Sequence, residues 1–205
     1  MSSMTQIKPF SDAVAFHGHS CPGLALGYRA AEYALCALSA DRAEDEDLVA
    51  IVENDACGVD AIQSVAGCSA GKGNLIFRDF GKHAYTFICR QSNRAIRLVQ
   101  RPEPVIERLD PSVSAIRSRM MAGTATSEEQ TEFHARQAAI IQKILAMPIE
   151  ELFIVQDVKP DVPERARIFL SVQCARCGEM VAEHRARVSD GKFVCIPCAG
   201  EYHRH

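Results

Sequence analysis

Phe16-His17-Gly18-His19-Ser20-Cys21-Pro22-Gly23-Leu24-Ala25-Leu26-Gly27-Tyr28-Arg29-Ala30-Ala31 opens the first strong element of the chain. Pro22 suits the first turn of a helix, where a missing N–H costs nothing. Beyond it Leu24, Tyr28, Ala31, Leu35 and Leu38 recur at helical spacing, which predicts a helix over 22–39 with one apolar face. Gly23, Gly27, Ala30, Ala31 and Ala34 keep that helix thin, so another backbone can approach it closely. Just before it, His17, His19 and Cys21 stand two residues apart. In an extended segment alternate side chains share one face, so this spacing aims all three the same way. Cys21 would also sit at the positive end of the helix dipole, which lowers a thiol's pKa and favours the metal-binding thiolate.

Outward from this stretch, Asp41–Asp47 reads as a solvated connection and Leu48–Glu53 as a buried strand stopped by Asn54-Asp55. Cys57–Ala66 reads as a short helix closed by Gly67, with Cys57 repeating the Cys21 arrangement and Cys68 at the far end. Asn74–Arg78, His83–Arg90 and Ala95–Gln100 predict an antiparallel meander. Arg101–Pro111, with its prolines, reads as a linker. Ser127 before Glu128-Glu129-Gln130 predicts a capping box and a helix to about Ala146. Leu152–Val158 and Arg167–Val172 are strand-like. The expected fold is α+β, with helices packed on an antiparallel or mixed sheet in residues 1–165 and a small four-cysteine zinc-finger domain in 166–205. Cys36 and Cys89 are expected in the core.

The 205 residues are 47% hydrophobic and 24% charged, with formal net charge −3. This is ordinary globular composition, which excludes disordered, collagenous and coiled-coil classes. The longest run without Asp, Glu, Lys or Arg is residues 13–28, too short and too polar to span a bilayer. Met1–Asp12 shows no secretory pattern, so a cytoplasmic protein without a membrane partner is expected. Residues 161–205 carry 7 basic and 6 acidic groups, which argues against nucleic-acid binding by charge. Nine cysteines in such a chain point to metal or redox chemistry rather than disulfides.

Cys174-x2-Cys177, 17 residues, then Cys195-x2-Cys198 is the sharpest of these signals. Two such pairs can close a tetrahedron of thiolates around one zinc. With four protein ligands the site is structural, and metal binding would supply most of the folding free energy of this short tail. His184 or His203 replacing one cysteine is the alternative. The pattern resembles the short zinc fingers of the DksA/TraR group of transcription factors.

In the core, His17, His19, Cys21, Cys57 and Cys68 all adjoin glycine-rich turns and are candidate ligands of a second divalent transition metal, with zinc the natural choice. Buried inert thiols with a surface histidine pair are the alternative. Cys21, His19, Asp60, Lys72 and Lys82 are the candidate catalytic residues. Asp60 or Gln63 would hold a ligand histidine in one tautomer, and Lys72 and Lys82 would orient a small anionic substrate. The loop Gly67–Gly73 is not a phosphate-binding P-loop, because its glycines stand too close and Gly73 replaces the magnesium-binding hydroxyl.

Phe16–Gly23 with Gly27-Tyr28-Arg29, Cys57-Gly58-Val59-Asp60-Ala61-Ile62-Gln63, Gly67-Cys68 with Gly71-Lys72-Gly73-Asn74, and Asp79-Phe80-Gly81-Lys82 together resemble the FmdE family of formylmethanofuran dehydrogenase subunits. The resemblance implies an α+β core, an intertwined homodimer, and a cleft where histidine and cysteine residues hold metal. It also implies a link to one-carbon metabolism through a molybdenum or tungsten oxidoreductase. Two functions follow as expectations. One is a metal-dependent enzyme, or a component of one, with an open core site. The other is a zinc-stabilised regulatory or adaptor protein that binds a small molecule or metal and contacts a protein or nucleic acid through its finger.

Overall fold

Leu48–Val52, the five-residue strand β1, is buried along its whole length, because both faces of the sheet it enters are covered. The computed structural model describes residues 7–200, and these divide into two units between Glu164 and Arg165. The first unit begins with helices α1 (Phe10–His17) and α2 (Pro22–Leu38), followed by β1, α3 (Gly58–Ala66), β2 (Leu75–Phe77), β3 (Ala84–Cys89) and β4 (Arg94–Gln100). It continues through α4 (Val105–Leu109), α5 (Val113–Met121), α6 (Ser127–Ala146), α7 (Ile149–Leu152) and β5 (Phe153–Val158). The strands form one mixed sheet in the order β2-β1-β3-β4-β5.

Side chains alternate across this sheet, as period-two geometry requires. Leu48, Ala50, Val52, Tyr85, Phe87, Ile96 and Leu98 join the helices in the main core. Val49, Ile51, Ile88 and Ala95 form a second cluster on the opposite face, with Ile76 and Val158 against it. On that face the Arg97 guanidinium pairs with both oxygens of the buried Glu53, at 2.8 and 3.0 Å.

The expected meander holds only for β3 and β4. Strand β2 lies parallel to β1 (Ala50 opposite Leu75), and β1 lies antiparallel to β3 (Ala50 opposite Phe87), so β1 separates β2 from β3. The connection through α3 supplies the crossover that a parallel pair needs. Other departures are local. The capping box uses Thr126 with Glu129, one residue before the expected Ser127. The proline-rich passage contains α4, and α1 and α5 form where no helix was expected. Cys89 is buried, but Cys36 is exposed, because it lies one position, about 100° around the helix, from the buried Leu35.

The thin face of α2 receives α3. A Cβ at Gly27 would lie 2.1 Å from the Gly58 carbonyl oxygen, so the two helices touch backbone to backbone. Ala30, Ala31 and Ala34 are fully buried within the same chain. Among the described residues no helix is long and apolar enough to cross a membrane.

The second unit consists of two short ribbons. Strands β6 (Ser171–Gln173) and β7 (Met180–Ala182) pair antiparallel, and a single 3-10 turn, Glu183–Arg185, follows them. Strands β8 (Arg187–Ser189) and β9 (Lys192–Val194) pair about an Asp190-Gly191 turn, and the one-turn helix α8 (Ile196–Ala199) closes the fold. Its buried residues are Cys174, Val194 and Cys195, too small a core to hold the unit without a metal.

Gly27→Ala should destabilise the protein by roughly 1–3 kcal/mol in urea melts, since neither backbone can yield without separating α2 from α3. Gly71→Ala is the control: a Cβ there meets nothing within 4 Å, and its melt should be near that of the parent.

Candidate metal centres

His17 is the last residue of α1, and Gly18, at φ 92°, turns the chain out of that helix. The segment is therefore not extended: a helix end and a turn, rather than strand alternation, bring His17 and Cys21 together and leave His19 out of the group. Cys21 is the N-cap of α2, its sulfur accepting the Leu24 N–H at 3.3 Å. Cys57 immediately precedes α3. The close crossing of the two helices brings these N-terminal ends together, and a Cβ at Gly23 would lie 3.5 Å from the Cys57 Cβ.

Asp60, in the first turn of α3, completes the arrangement. Its Oδ2 stands 2.7 Å from His17 Nδ1, and its Oδ1 accepts from Gln63 Nε2 at 3.1 Å. Asp60 thus accepts the Nδ1–H and leaves the Nε2 lone pair of His17 free, 4.0 Å from Cys21 Sγ. One ligand atom each from His17, Cys21 and Cys57 falls within 4.8 Å of the others, and all three residues are partly buried. A tetrahedral zinc with arms of about 2.0 Å to nitrogen and 2.3 Å to sulfur has edges of about 3.5 and 3.8 Å, so small side-chain movements would seat one. The donors fit a soft divalent ion with one position left over.

Burial pushes the Cys21 thiol up, and the neighbouring Cys57 adds to this, against the pull of the Leu24 and Gly23 N–H groups. The expected helix-dipole lowering is thus outweighed in the metal-free protein. Thiolate at this site calls for a cation.

The other candidates lie elsewhere. Cys68 is fully buried at the opposite end of the nine-residue α3, about 14 Å along its axis, and donates to the Leu48 carbonyl at 3.5 Å. Burial pushes its pKa from 9.0 to about 12. His19 is exposed beside His17, ring centroids 4.4 Å apart, and is not one of the three gathered ligands. The Lys72 ammonium binds the carbonyls of Ala43 (2.9 Å) and Glu44 (3.3 Å), which ties two loops together. Lys82 is exposed over the Phe80 ring.

Tyr85 and Asn54 were not singled out by the sequence. Asn54 accepts the Ala56 N–H at 3.0 Å and donates to the Lys82 carbonyl at 2.7 Å, fixing the turn that presents Cys57. Tyr85 stands behind Gly58, and burial pushes its phenol up to about 12. An Asn after a hydrophobic strand was the one available signal. Nothing local marked Tyr85.

In the second unit the sulfurs of Cys174, Cys177, Cys195 and Cys198 also lie within 4.8 Å of one another. Cys177 and Cys195 are 3.8 Å apart, the edge of a tetrahedral zinc–thiolate site. N–H groups of Cys177 and Cys195 hold the Cys174 thiol down at about 6. The thiols of Cys195 and Cys177 push Cys198 up to about 12. Four ionised sulfurs at this spacing need a cation, and four ligands leave it no open position. His184 instead stacks on Phe169 at 3.8 Å, and His203 lies outside the described residues.

Three outcomes follow. Cys177→Ser should lose one metal equivalent by elemental analysis, and its tail should become protease-sensitive. In metal-free protein at pH 8, iodoacetamide should label the tail thiols and the exposed Cys36 while the core stays folded, and reach Cys68 only when the core unfolds, as peptide mapping would read. The folded chain keeps the Cys68 proton that an unfolded chain releases near pH 9. This stabilising contribution is complete below about pH 9 and is lost as pH rises toward 12, so Cys68→Ala should flatten the alkaline fall in stability.

Comparison with known proteins matches each unit to a family. Residues 16–154 match the family model described as FmdE, molybdenum formylmethanofuran dehydrogenase operon, and residues 167–204 match the prokaryotic dksA/traR C4-type zinc finger. Over 199 residues the chain is 34% identical to a protein of Archaeoglobus fulgidus named "Probable S-adenosyl-L-methionine-binding protein". That alignment covers 93% of this chain and 52% of the relative, so the chain spans about half the relative's length. A tungsten formylmethanofuran dehydrogenase FmdE-like protein from Syntrophus aciditrophicus, a solved structure, has the same fold at a TM-score of 0.58 and 22% identity, covering 93% of this chain and 89% of its own. With a four-cysteine zinc finger following its core, the chain belongs to the FmdE family of metal-binding proteins.

Proposed function

We propose that the core unit is an open-site metalloprotein acting, alone or as part of a larger enzyme, on a small oxygen-bearing substrate in the setting of one-carbon metabolism. The observation that carries this is the ligand count: His17, Cys21 and Cys57 gather as three, whereas the tail gathers four. Three protein ligands with a free fourth position characterise catalytic zinc, and four thiolates characterise structural zinc. A bound ion would supply Lewis-acid polarisation of a substrate oxygen.

The chain's own residues do the rest. Asp60 holds His17 in the tautomer that presents Nε2, and Gln63 fixes Asp60. The Leu24 N–H on the Cys21 sulfur orients that ligand. Exposed His19 stands beside His17, its ring against the ligand's. The one-carbon setting rests on the family and on the name of the Syntrophus relative.

A second reading, binding of S-adenosyl-L-methionine, is favoured by the name of the Archaeoglobus relative and by a cleft of about 440 Å3 lined by Phe16, Arg42, Gln63 and Lys72. Titration with that compound separates the two readings.

The full chain purified with zinc should carry two equivalents. Cys57→Ser should carry one, with the tail still protease-resistant, and Asp60→Asn should weaken the core site about 10–100-fold. A parent protein whose single zinc is lost in Cys177→Ser would refute the core site.

A further inference from the structure

We infer that the phenol of Tyr85 donates a hydrogen bond to the oxygen of a small carboxylate or carbonyl ligand held in the cavity behind Cys57. Tyr85 faces the helix side of β3, opposite Val52 at the end of β1, and is 3% exposed. With Gly23, Leu26, Gly58, His83 and Ile106 it lines a cavity of about 150 Å3. Two of these residues flank the candidate ligands: Gly58 follows Cys57, and Gly23 stands two residues after Cys21.

The phenol is packed where only a glycine leaves room, since a Cβ on Gly58 would lie 2.6 Å from its oxygen. Asn54 gives one amide hydrogen to the Lys82 carbonyl and is placed to offer the other to the phenol oxygen. None of the hydrogen bonds among the described residues takes up the phenol's own proton. The phenol oxygen is not among the closed-off buried atoms left without a partner, so it opens on the cavity, where a ligand that brings an acceptor can reach it.

The volume limits the ligand to a few heavy atoms. A second cavity of about 100 Å3 also includes Gly23 and Ile106; Val113, Phe133 and Ile140 give it a largely apolar wall that suits a short aliphatic tail, with Arg117 and Gln137 as its polar part. The ligand class is therefore a short-chain carboxylate or acyl compound, its oxygen end on Tyr85. This inference deepens the proposed function, because the same oxygen would lie near the metal centre.

Isothermal titration of butyrate, with butylamine as control, into the zinc-loaded full chain tests it. Butyrate should bind and butylamine should not. Tyr85→Phe should weaken butyrate about tenfold with zinc still at two equivalents, and Ile106→Phe should block it by filling the cavity. Equal butyrate affinity in parent and Tyr85→Phe, or no butyrate binding by a two-zinc parent, overturns the inference and leaves the metal centre standing. A one-zinc protein that still binds butyrate through Tyr85 supports the inference and removes the metal centre instead.

Discussion

The backbone contact between α2 and α3 at Gly27 and Gly58 is the constraint on which the core depends. Helices normally lie 8–10 Å apart, held off by their side chains. Here no Cβ fits between them, so the axes approach closely and their N-terminal ends come side by side. Those ends carry Cys21 and Cys57. Asp60, one turn into α3, then reaches back to the end of α1 and holds His17 against the thiols. A separation of the two helices by one methyl group would leave each of these groups in place on its own element and disperse the constellation.

The two thiol sites obtain their charge differently. In the tail, N–H groups hold Cys174 low while its neighbours hold Cys198 high, so the cluster is already biased toward partial ionisation. In the core, burial acts against ionisation of Cys21, and Asp60 orients His17 beside it. The first arrangement closes around an ion and holds a fold with almost no core. The second keeps its ligands in a scaffold that is already stable, since α2, α3 and the sheet bury Leu24, Leu35, Ile62 and Phe87 without help from metal. That independence would let an ion bound there keep a coordination position open.

Several polar residues of the core serve construction rather than chemistry. Lys72 and the buried Asn74 bind carbonyls of the acidic connection, joining it to the glycine-rich loop. Glu53 neutralises Arg97 on the far face of the sheet. The Lys72 and Asn74 contacts tie the glycine-rich loop to the acidic connection.

What was legible in the residues alone is what local spacing controls. Leu24, Tyr28, Ala31, Leu35 and Leu38 announced α2, five apolar residues announced β1, and the paired CxxC spacing announced the tail site, because each signal lies within a few turns of chain. The choice among the core cysteines was not legible in this way. Spacing already put Cys57 and Cys68 at opposite ends of one helix, but only the packing of that helix selects which end meets Cys21. The partner of β2 was likewise hidden, because a parallel neighbour is selected by long-range burial rather than by the nearest turn. Tyr85 belongs to the same class: its place beside Gly58 exists only where β3, Asn54 and α3 converge, and no residue near it in sequence records that meeting.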